Sequence, residues 1–245
     1  MFSQDALLLV GHGSSTVPDA ARPLMAHAEV IRASGRFAQV AVGLLRGQPD
    51  AASALDSLTA PIVHVVPFFL EDGYFTRITI PDLLLPRVTG SRVLRFCRPV
   101  GTNEGIVTLL DARLRRHCEM FGIAPKSLSV LLAGHGSSKN PGRARFLRQH
   151  ATRLEALGRY GWVRIAHLEE PPLISETLAS TRGHIVGVLG YLANDGVHAS
   201  QDLPALIAAE RGARGANWPP VHDLGAIGGD AVMPDLIMRQ VTALR

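Results

Sequence analysis

The sequence contains two copies of one pattern at a constant spacing, and this repeat restricts the fold more than any other feature. The segment Gly11–Ser15, which reads GHGSS, recurs as Gly134–Ser138, 123 residues further on. The same spacing holds far downstream, and the further matched pairs are Pro18 with Pro141, Arg22 with Arg145, His27 with His150, Pro49 with Pro172, and Asp72-Gly73 with Asp195-Gly196. The chain therefore contains two copies of one folding unit, which we place at residues 1–122 and 123–245.

Each copy alternates apolar runs with helical patterns in the same order. The first run, Ala6–Val10 or Leu128–Ala133, is too short for a typical helix and ends at glycine, which predicts a buried strand. The elements predicted next are helices over 18–34 and 143–158, strands over 40–45 and 163–168, helices from about Asp50 and Ile174, and strands over 62–69 and 185–192. Such alternation predicts an α/β fold with a parallel sheet in each copy, whose ligands bind at the carboxyl ends of the strands.

Composition excludes several classes of function. The net charge is +4, but the arginines are dispersed and only 5% of residues are aromatic, which argues against a nucleic-acid partner. No apolar run approaches the ~20 residues that span a bilayer, and the N-terminus lacks a signal-peptide pattern, so we predict a cytoplasmic protein with no membrane partner. Cys97 and Cys118 are too few for a disulfide framework or a four-thiolate metal site.

The GHGSS turn places a histidine between two glycines at the end of a buried strand. A ring held on such a tight turn is open to a ligand, which favours a metal ligand or an acid–base group. The alternative is a tight turn with a serine N-cap, in which the histidine only fills space. The spacing matches neither a phosphate-binding glycine loop nor the G-x-S-x-G nucleophile turn.

A second histidine follows the third predicted strand of the C-terminal copy. His198 lies at the same edge of the sheet as His135, and two imidazoles there would form an open site for a late first-row divalent metal. The N-terminal copy keeps His12 but has Phe75 where the other copy has His198. We therefore predict one asymmetric metal site, formed by His135 and His198.

Glu169 and Glu170 end the second strand of the C-terminal copy, at the same edge. Either carboxylate is a candidate base, and we assign the role to Glu170; the alternative is a solvated acidic pair before Pro171. The matched residues of the N-terminal copy are Arg46 and Gly47, so that copy again lacks the chemical groups. His27 and His150 lie inside the first predicted helices, where we expect them to be packing residues.

These motifs resemble those of the class II chelatases, which insert metal into sirohydrochlorin in cobalamin and siroheme synthesis. The resemblance rests on GHGS after the first strand, on PFFL at Pro67–Leu70, on YLANDGVHASQDLP at Tyr191–Pro204, and on a late PVG or AIG turn. It covers nearly the whole chain, once per copy. It implies a pseudo-twofold pair of four-stranded parallel α/β domains with a tetrapyrrole cleft between them, and it matches His135 and His198 with the family's metal-binding histidines. Long members of the family more often keep their site in the N-terminal half, so the arrangement in this chain is inverted.

The function that this resemblance implies is insertion of a divalent metal, Co²⁺ first and Ni²⁺ or Fe²⁺ as alternatives, into sirohydrochlorin or a related tetrapyrrole. The metal is a substrate, and no cofactor is expected to stay bound. The substrate is a polycarboxylate, which Arg46 and Arg77 would bind through paired hydrogen bonds. The residues expected to bind substrate are Ser137, Ser138, Arg46, Arg77 and His12. Because the two copies are fused, a monomer suffices, although a homodimer is compatible with the sequence. The rival hypothesis is a tetrapyrrole or metal carrier that has lost turnover.

Overall fold

The computed structural model of the protein describes residues 2–137, 144–181, 184–215 and 219–243. Its strands form two sheets of four parallel strands each. The first sheet has the order β2-β1-β3-β4, and its strands are β1 (Phe2–Gly13), β2 (Phe37–Arg46), β3 (Ile62–Pro67) and β4 (Val93–Phe96). The second sheet has the equivalent order β6-β5-β7-β8, and its strands are β5 (Leu128–Gly134), β6 (Val163–His167), β7 (Ile185–Gly190) and β8 (Val221–Ala226).

Helices connect the strands, as parallel pairing requires. Those of the first repeat are α1 (Arg22–Ala33), α2 (Ala51–Asp56), α3 (Ile80–Leu84) and α4 (Gly105–Phe121). Those of the second repeat are α5 (Arg145–Ala156), α6 (Ile174–Ser180), α7 (Leu203–Arg214) and α8 (Met233–Thr242). Among the described residues, none of these helices is long and apolar enough to cross a membrane.

The predicted parallel α/β fold is confirmed in both repeats, and the predicted bounds need small corrections. The helix predicted from residue 18 begins with a 3₁₀ turn, Pro18–Ala21, before α1. The third strands end two residues earlier than predicted, at Pro67 and Gly190. The reason is that the apolar pattern continues past the strand ends into residues that are buried without being in the sheet, such as Phe68 and Leu192.

Each sheet carries its own hydrophobic core. In the first sheet Ala6, Leu8 and Val10 alternate along β1 and pack with residues of α2 and α3, while Leu7 and Leu9 on the other face are also fully buried. Leu131 and Ala133 of β5 occupy the equivalent place in the second core, which includes residues of α6 and α7. Burial on both faces explains why the central strands are continuous apolar runs.

The chain divides into two compact units, one around each sheet. The first contains residues 1–103, 193–196 and 228–245, and the second contains residues 104–192 and 197–227. The last helix of the sequence, α8, belongs to the first unit and packs on α1 and β3, whereas α4 belongs to the second unit and packs on α5. The final helix of each repeat is thus part of the unit built on the other repeat's sheet. The boundary between residues 122 and 123 was placed from the sequence repeat, and it stays a prediction.

Candidate functional site

The turn after β5 holds His135 at the carboxyl edge of the second sheet. Gly136 has a φ of +74°, which favours glycine, and a Cβ atom there would lie 2.7 Å from the Cβ of His167 and 2.8 Å from the Cγ of Glu170. The carbonyl of His135 accepts hydrogen bonds from the amides of Leu168 and Glu169, at 3.2 and 3.0 Å. The backbone of His135 is therefore fixed against the end of β6, while its side chain remains exposed.

His198 lies on a single π-helical turn, His198–Asp202, that leads directly into α7. The amide of Leu203 donates to the carbonyl of His198, which is the i to i+5 bond that defines such a turn. One-turn π segments are frequent at functional sites because they displace side chains from the regular helical positions.

The two histidines lie together with Glu169. Their ring centroids are 4.2 Å apart with the ring planes at 85°, and the Oε2 of Glu169 is 3.8 Å from the Nδ1 of His135. One ligand atom from each of His135, Glu169 and His198 lies within 4.8 Å of the other two, and within the described ranges this is the one such group of three metal-ligating side chains. The side chains are 44%, 43% and 40% exposed, so the cluster is open to solvent.

Hydrogen bonds leave the same nitrogen of each ring available for a metal. The Nδ1 of His135 lies 2.9 Å from the carbonyl oxygen of Gly136, and the Nδ1 of His198 lies 2.7 Å from the Oδ2 of Asp202. A carbonyl and an ionised carboxylate can only accept, so both Nδ1 atoms must donate. In the neutral rings the lone pair is then on Nε2, the form that binds a metal.

Glu170, which the sequence analysis assigns as the base, lies outside this cluster. It is 4% exposed, and its Oε1 is 3.8 Å from the Nε2 of His167, which is also buried. Burial lowers the pKa of His167, and the opposing charge of Glu170 reduces the shift. The structure therefore brings the neighbouring Glu169 to the two histidines, and the role of Glu170 stays a prediction.

Ser137 follows the turn and is half-buried, and Ser138 lies outside the described residues. The equivalent serine of the N-terminal repeat, Ser14, accepts hydrogen bonds from the amides of Thr16 and Val17, at 3.2 and 3.0 Å. In that repeat the serine stabilises the turn, but it is not the N-cap weighed from sequence, because the helical turn that follows has Val17 as its N-cap and no side-chain cap.

The N-terminal repeat forms an aromatic cluster at the corresponding edge. His12 lies 5.0 Å from the ring of Phe75 and 6.4 Å from that of Phe69, measured between centroids. Phe75 begins a one-turn π-helix, Phe75–Thr79, at the same place in the repeat as His198. This edge therefore has one imidazole with a phenylalanine ring in place of the second histidine, and among the described residues it forms no group of three metal-ligating side chains.

The two arginines predicted to bind substrate differ in their surroundings. Arg46 is exposed at the end of β2, and no ion pair involves it in the described part of the chain. Arg77 donates to the Oδ2 of Asp72 through Nε and Nη2, at 3.0 and 2.7 Å. Burial acts to raise the pKa of Asp72, but the hydrogen bonds from Arg77 and Thr76 outweigh it and the net shift is downward. The positive charge of Arg77 is thus partly compensated by Asp72, whereas Arg46 has no ion-pair partner among the described residues.

Comparison with known proteins supports the repeat and the fold. The CbiX family model matches residues 6–117 and again residues 129–244. A protein of Halobacterium salinarum named "Probable sirohydrochlorin cobaltochelatase" is 26% identical over 265 residues, which cover 96% of this chain and 90% of that protein. These matches place both sequence repeats within one family.

Two solved structures share the fold. The multi-domain protein DR2241 of Deinococcus radiodurans, described as structurally similar to chelatases, has a TM-score of 0.84 and 25% identity over 98% of this chain, which spans 55% of that longer protein. The sirohydrochlorin chelatase SirB of Bacillus subtilis subspecies spizizenii, solved with cobalt, has a TM-score of 0.78 and 21% identity, covering 98% of this chain and 94% of SirB. With the family model matched over both repeats, the chain belongs to the CbiX family.

Proposed function

We propose that the protein is a chelatase that inserts a divalent metal ion into sirohydrochlorin or a related tetrapyrrole. The observation that carries this proposal is the His135–Glu169–His198 cluster, in which Nδ1 of each imidazole has a hydrogen-bond acceptor, Nε2 carries the lone pair in the neutral ring, and all three side chains are accessible. Membership of the CbiX family and the name of the Halobacterium relative support the same activity.

The open cluster suits a metal that must be bound and then released. Structural zinc sites close four ligands around the ion, whereas two imidazoles and one carboxylate leave positions for water and for the incoming ring nitrogens. Partial exposure also keeps the cluster in contact with solvent, so that the ion can lose its waters stepwise. We expect His135 and His198 to hold the ion until the macrocycle replaces them.

Insertion releases two pyrrole protons, and a base close to the ion must accept them. Glu169 is the carboxylate nearest the histidines and is exposed enough to pass a proton on to water. Glu170 is the alternative base, and it would have to act from its buried place beside His167. We favour Glu169, since a general base must be within hydrogen-bonding reach of the proton that it removes.

We name Co²⁺ as the first candidate metal, in a cobalamin- or siroheme-type pathway. The support is the name of the Halobacterium relative and the cobalt in the SirB structure. Two imidazoles and a carboxylate bind Ni²⁺ and Fe²⁺ as well, since affinity follows the general series of divalent metals. The metal is a substrate in this scheme.

Binding of the tetrapyrrole is assigned to residues around both strand-end turns. Arg46, which has no ion-pair partner in the described part of the chain, offers its guanidinium to a carboxylate of the substrate, and Arg77 would interact with both Asp72 and the substrate. His12, beside the flat rings of Phe75 and Phe69, offers a surface on which a macrocycle can stack. Ser137 and Ser138 stay predicted contacts of the substrate. The other expectations from sequence also stay predictions: no resident cofactor, no nucleic-acid or membrane partner, a monomeric or homodimeric state, and a cytoplasmic location.

The test is an anaerobic insertion assay. Protein is mixed with sirohydrochlorin and, separately, Co²⁺, Ni²⁺ or Fe²⁺, and the visible spectrum is followed. We expect insertion faster than the uncatalysed reaction, and loss of that acceleration in His135→Ala and His198→Ala. A matched control is His184→Ala, which removes an exposed histidine at the amino end of β7, the end of the strand opposite to the site. The proposal fails if no metal enters faster than without protein, or if both variants insert as fast as the wild type.

A tetrapyrrole or metal carrier on the same fold is the second candidate function. The observation that favours it is the N-terminal edge, where Phe75 stands in place of a second histidine. The same assay distinguishes the two functions, because a carrier would bind the macrocycle and the metal without accelerating insertion of the metal.

A further inference from the structure

The carboxylate of Asp202 is hydrogen-bonded to one of the two metal-site histidines, and among the described residues it forms no other side-chain hydrogen bond or ion pair. Its Oδ2 lies 2.7 Å from the Nδ1 of His198, four residues earlier on the same π-helical turn. This hydrogen bond uses Nδ1, so the lone pair of the neutral ring is on Nε2. His198 therefore has one ring nitrogen, Nε2, with which to bind a metal.

We infer that Asp202 is a positioning residue for metal loading, which holds His198 in the Nδ1–H tautomer and in the orientation that presents Nε2 to the ion. The inference rests on the proposed function, because it assigns a role within the same site. Carboxylates that accept from the second nitrogen of a metal-binding histidine fix its tautomer and increase its basicity as a ligand.

The N-terminal repeat provides a control for the alternative that Asp202 only stabilises the turn. There the one-turn π-helix Phe75–Thr79 forms with the same backbone bond, from the amide of Ile80 to the carbonyl of Phe75. Thr79 stands where the other repeat has Asp202. A carboxylate at this position is therefore not needed to form the turn, and it is present only in the repeat that has a histidine to hold.

The two histidines are held by acceptors of different strength. His135 donates to the neutral carbonyl of Gly136, at 2.9 Å, whereas His198 donates to a charged carboxylate, at 2.7 Å. Hydrogen bonds to ionised acceptors are shorter and roughly twice as strong as neutral ones. The orientation of the His198 ring is thus held by the stronger hydrogen bond, and we expect the first contact with the metal to depend on it more than on His135.

The orientation of the ring can be tested without metal. Two-bond ¹H–¹⁵N correlation spectra at pH 8 distinguish the two neutral tautomers, and the His198 signal is assigned by its loss in His198→Gln. In the wild type we expect the Nδ1–H form. In Asp202→Ala we expect a shift toward the Nε2–H form, which free imidazole side chains prefer, and the matched variant Thr79→Ala should leave the His198 signal unchanged.

The consequence for loading is tested with Co²⁺ alone, by calorimetric titration of the full chain. Second-sphere changes at metal sites typically weaken binding by 10- to 100-fold, and we expect about tenfold for Asp202→Ala because water can reach this carboxylate. Asp202→Glu should restore part of the affinity, and Asp202→Asn, which keeps the shape but not the charge, should fall between alanine and the wild type. Thr79→Ala should bind Co²⁺ as the wild type does.

The inference is overturned if His198 keeps the Nδ1–H tautomer in both Asp202→Ala and Asp202→Asn, or if both bind Co²⁺ as tightly as the wild type. It is also overturned if the wild type binds no Co²⁺. Failure of the proposed function gives a different pattern. In that case Co²⁺ binding and its dependence on Asp202 remain, while the complete protein inserts no metal into the tetrapyrrole.

Discussion

The carboxyl edges of the two sheets have the same backbone and different side chains. Each central strand ends in a Gly-His-Gly turn whose second glycine has a positive φ, +70° at Gly13 and +74° at Gly136. Each third strand is followed by a one-turn π-helix with an i to i+5 bond. The fold therefore maintains this edge in the N-terminal repeat, which has one histidine, His12, and Phe75 in place of the second. The two edges differ by a few side chains on the same backbone.

Three matched positions account for the difference. Phe75, Thr79 and Arg46 of the N-terminal repeat occupy the places of the C-terminal residues His198, Asp202 and Glu169. One edge thus has a second histidine, a carboxylate hydrogen-bonded to it and a further carboxylate nearby, and the other has an aromatic ring, a hydroxyl and a cation. We therefore propose that the C-terminal repeat binds the metal and that the N-terminal repeat contributes to binding the polyanionic macrocycle.

The largest effect is expected when the C-terminal edge receives the residues of the N-terminal one. His198→Phe with Asp202→Thr should lower the rate of Co²⁺ insertion by more than about 100-fold, because even second-sphere changes at metal sites cost up to about that factor. The protein should fold normally, since the same residues occupy the equivalent π-turn of the first repeat. Initial rates and thermal melting measure both effects, and a rate near that of the wild type would break the comparison.

Substitution of the two adjacent glutamates should have different effects: Glu169 is expected to affect the insertion rate, and Glu170 the stability of the fold. Glu169→Gln should slow insertion by about 100-fold, at the lower end of general-base effects, with little change in stability because the side chain is exposed. Glu170→Gln should mainly lower the free energy of unfolding, by about 1–3 kcal/mol, because it alters a buried polar group. Denaturant melts and single-turnover rates test the assignment, which is reversed if Glu170→Gln alone loses activity.

Much of this edge could be predicted from the sequence. The repeat and the apolar runs predicted both parallel sheets, and GHGSS with His198 predicted which two imidazoles meet, because strand ends at one sheet edge lie together. The choice between Glu169 and Glu170 could not be predicted, since consecutive residues at the end of a strand face opposite ways and the turn decides which one faces the histidines. Asp202 was missed, although its spacing of four residues from His198 and its absence from the other repeat were readable.

The sequence did not predict that the last helix of each repeat belongs to the unit built on the other repeat's sheet. The amphipathic patterns of α4 and α8 show that each has an apolar face, but not which sheet that face covers. A repeat alignment assigns each helix to its own copy, whereas packing places α8 with the first sheet and α4 with the second. Such choices depend on long-range contacts that no local pattern encodes.

A smaller effect is expected from the arginines of the N-terminal edge. Arg46→Ala should raise KM for the tetrapyrrole by about threefold with kcat unchanged, since an exposed ion pair contributes ~0.2–1 kcal/mol. Arg77→Ala should change KM less, because Asp72 already pairs with its guanidinium. Steady-state kinetics at low ionic strength measures the difference, and a larger effect of Arg77 would reverse the roles of the two residues.

The smallest effect is expected when the pH is lowered, and it concerns the stability of the two units. Burial lowers the pKa of His27 in the first unit and of His117 and His222 in the second, from an ordinary value of 6.5. The unfolded chain then binds more protons than the folded one just below pH 6.5, so stability is lost as the pH falls through that range. Hydrogen exchange at pH 7.5 and pH 5.5, corrected for intrinsic rates, should show more destabilisation in the second unit. Equal loss in the two units would contradict the comparison.

The most direct measurement of the central claim is the number of Co²⁺ ions bound per chain. Anaerobic titration of the wild type should give one ion, and His198→Phe with Asp202→Thr should give none. Phe75→His with Thr79→Asp and Arg46→Glu, which rebuilds the C-terminal residues on the N-terminal edge, should give two. The account is contradicted if the wild type binds two equivalent ions, or if it still binds one after His198 and Asp202 are replaced.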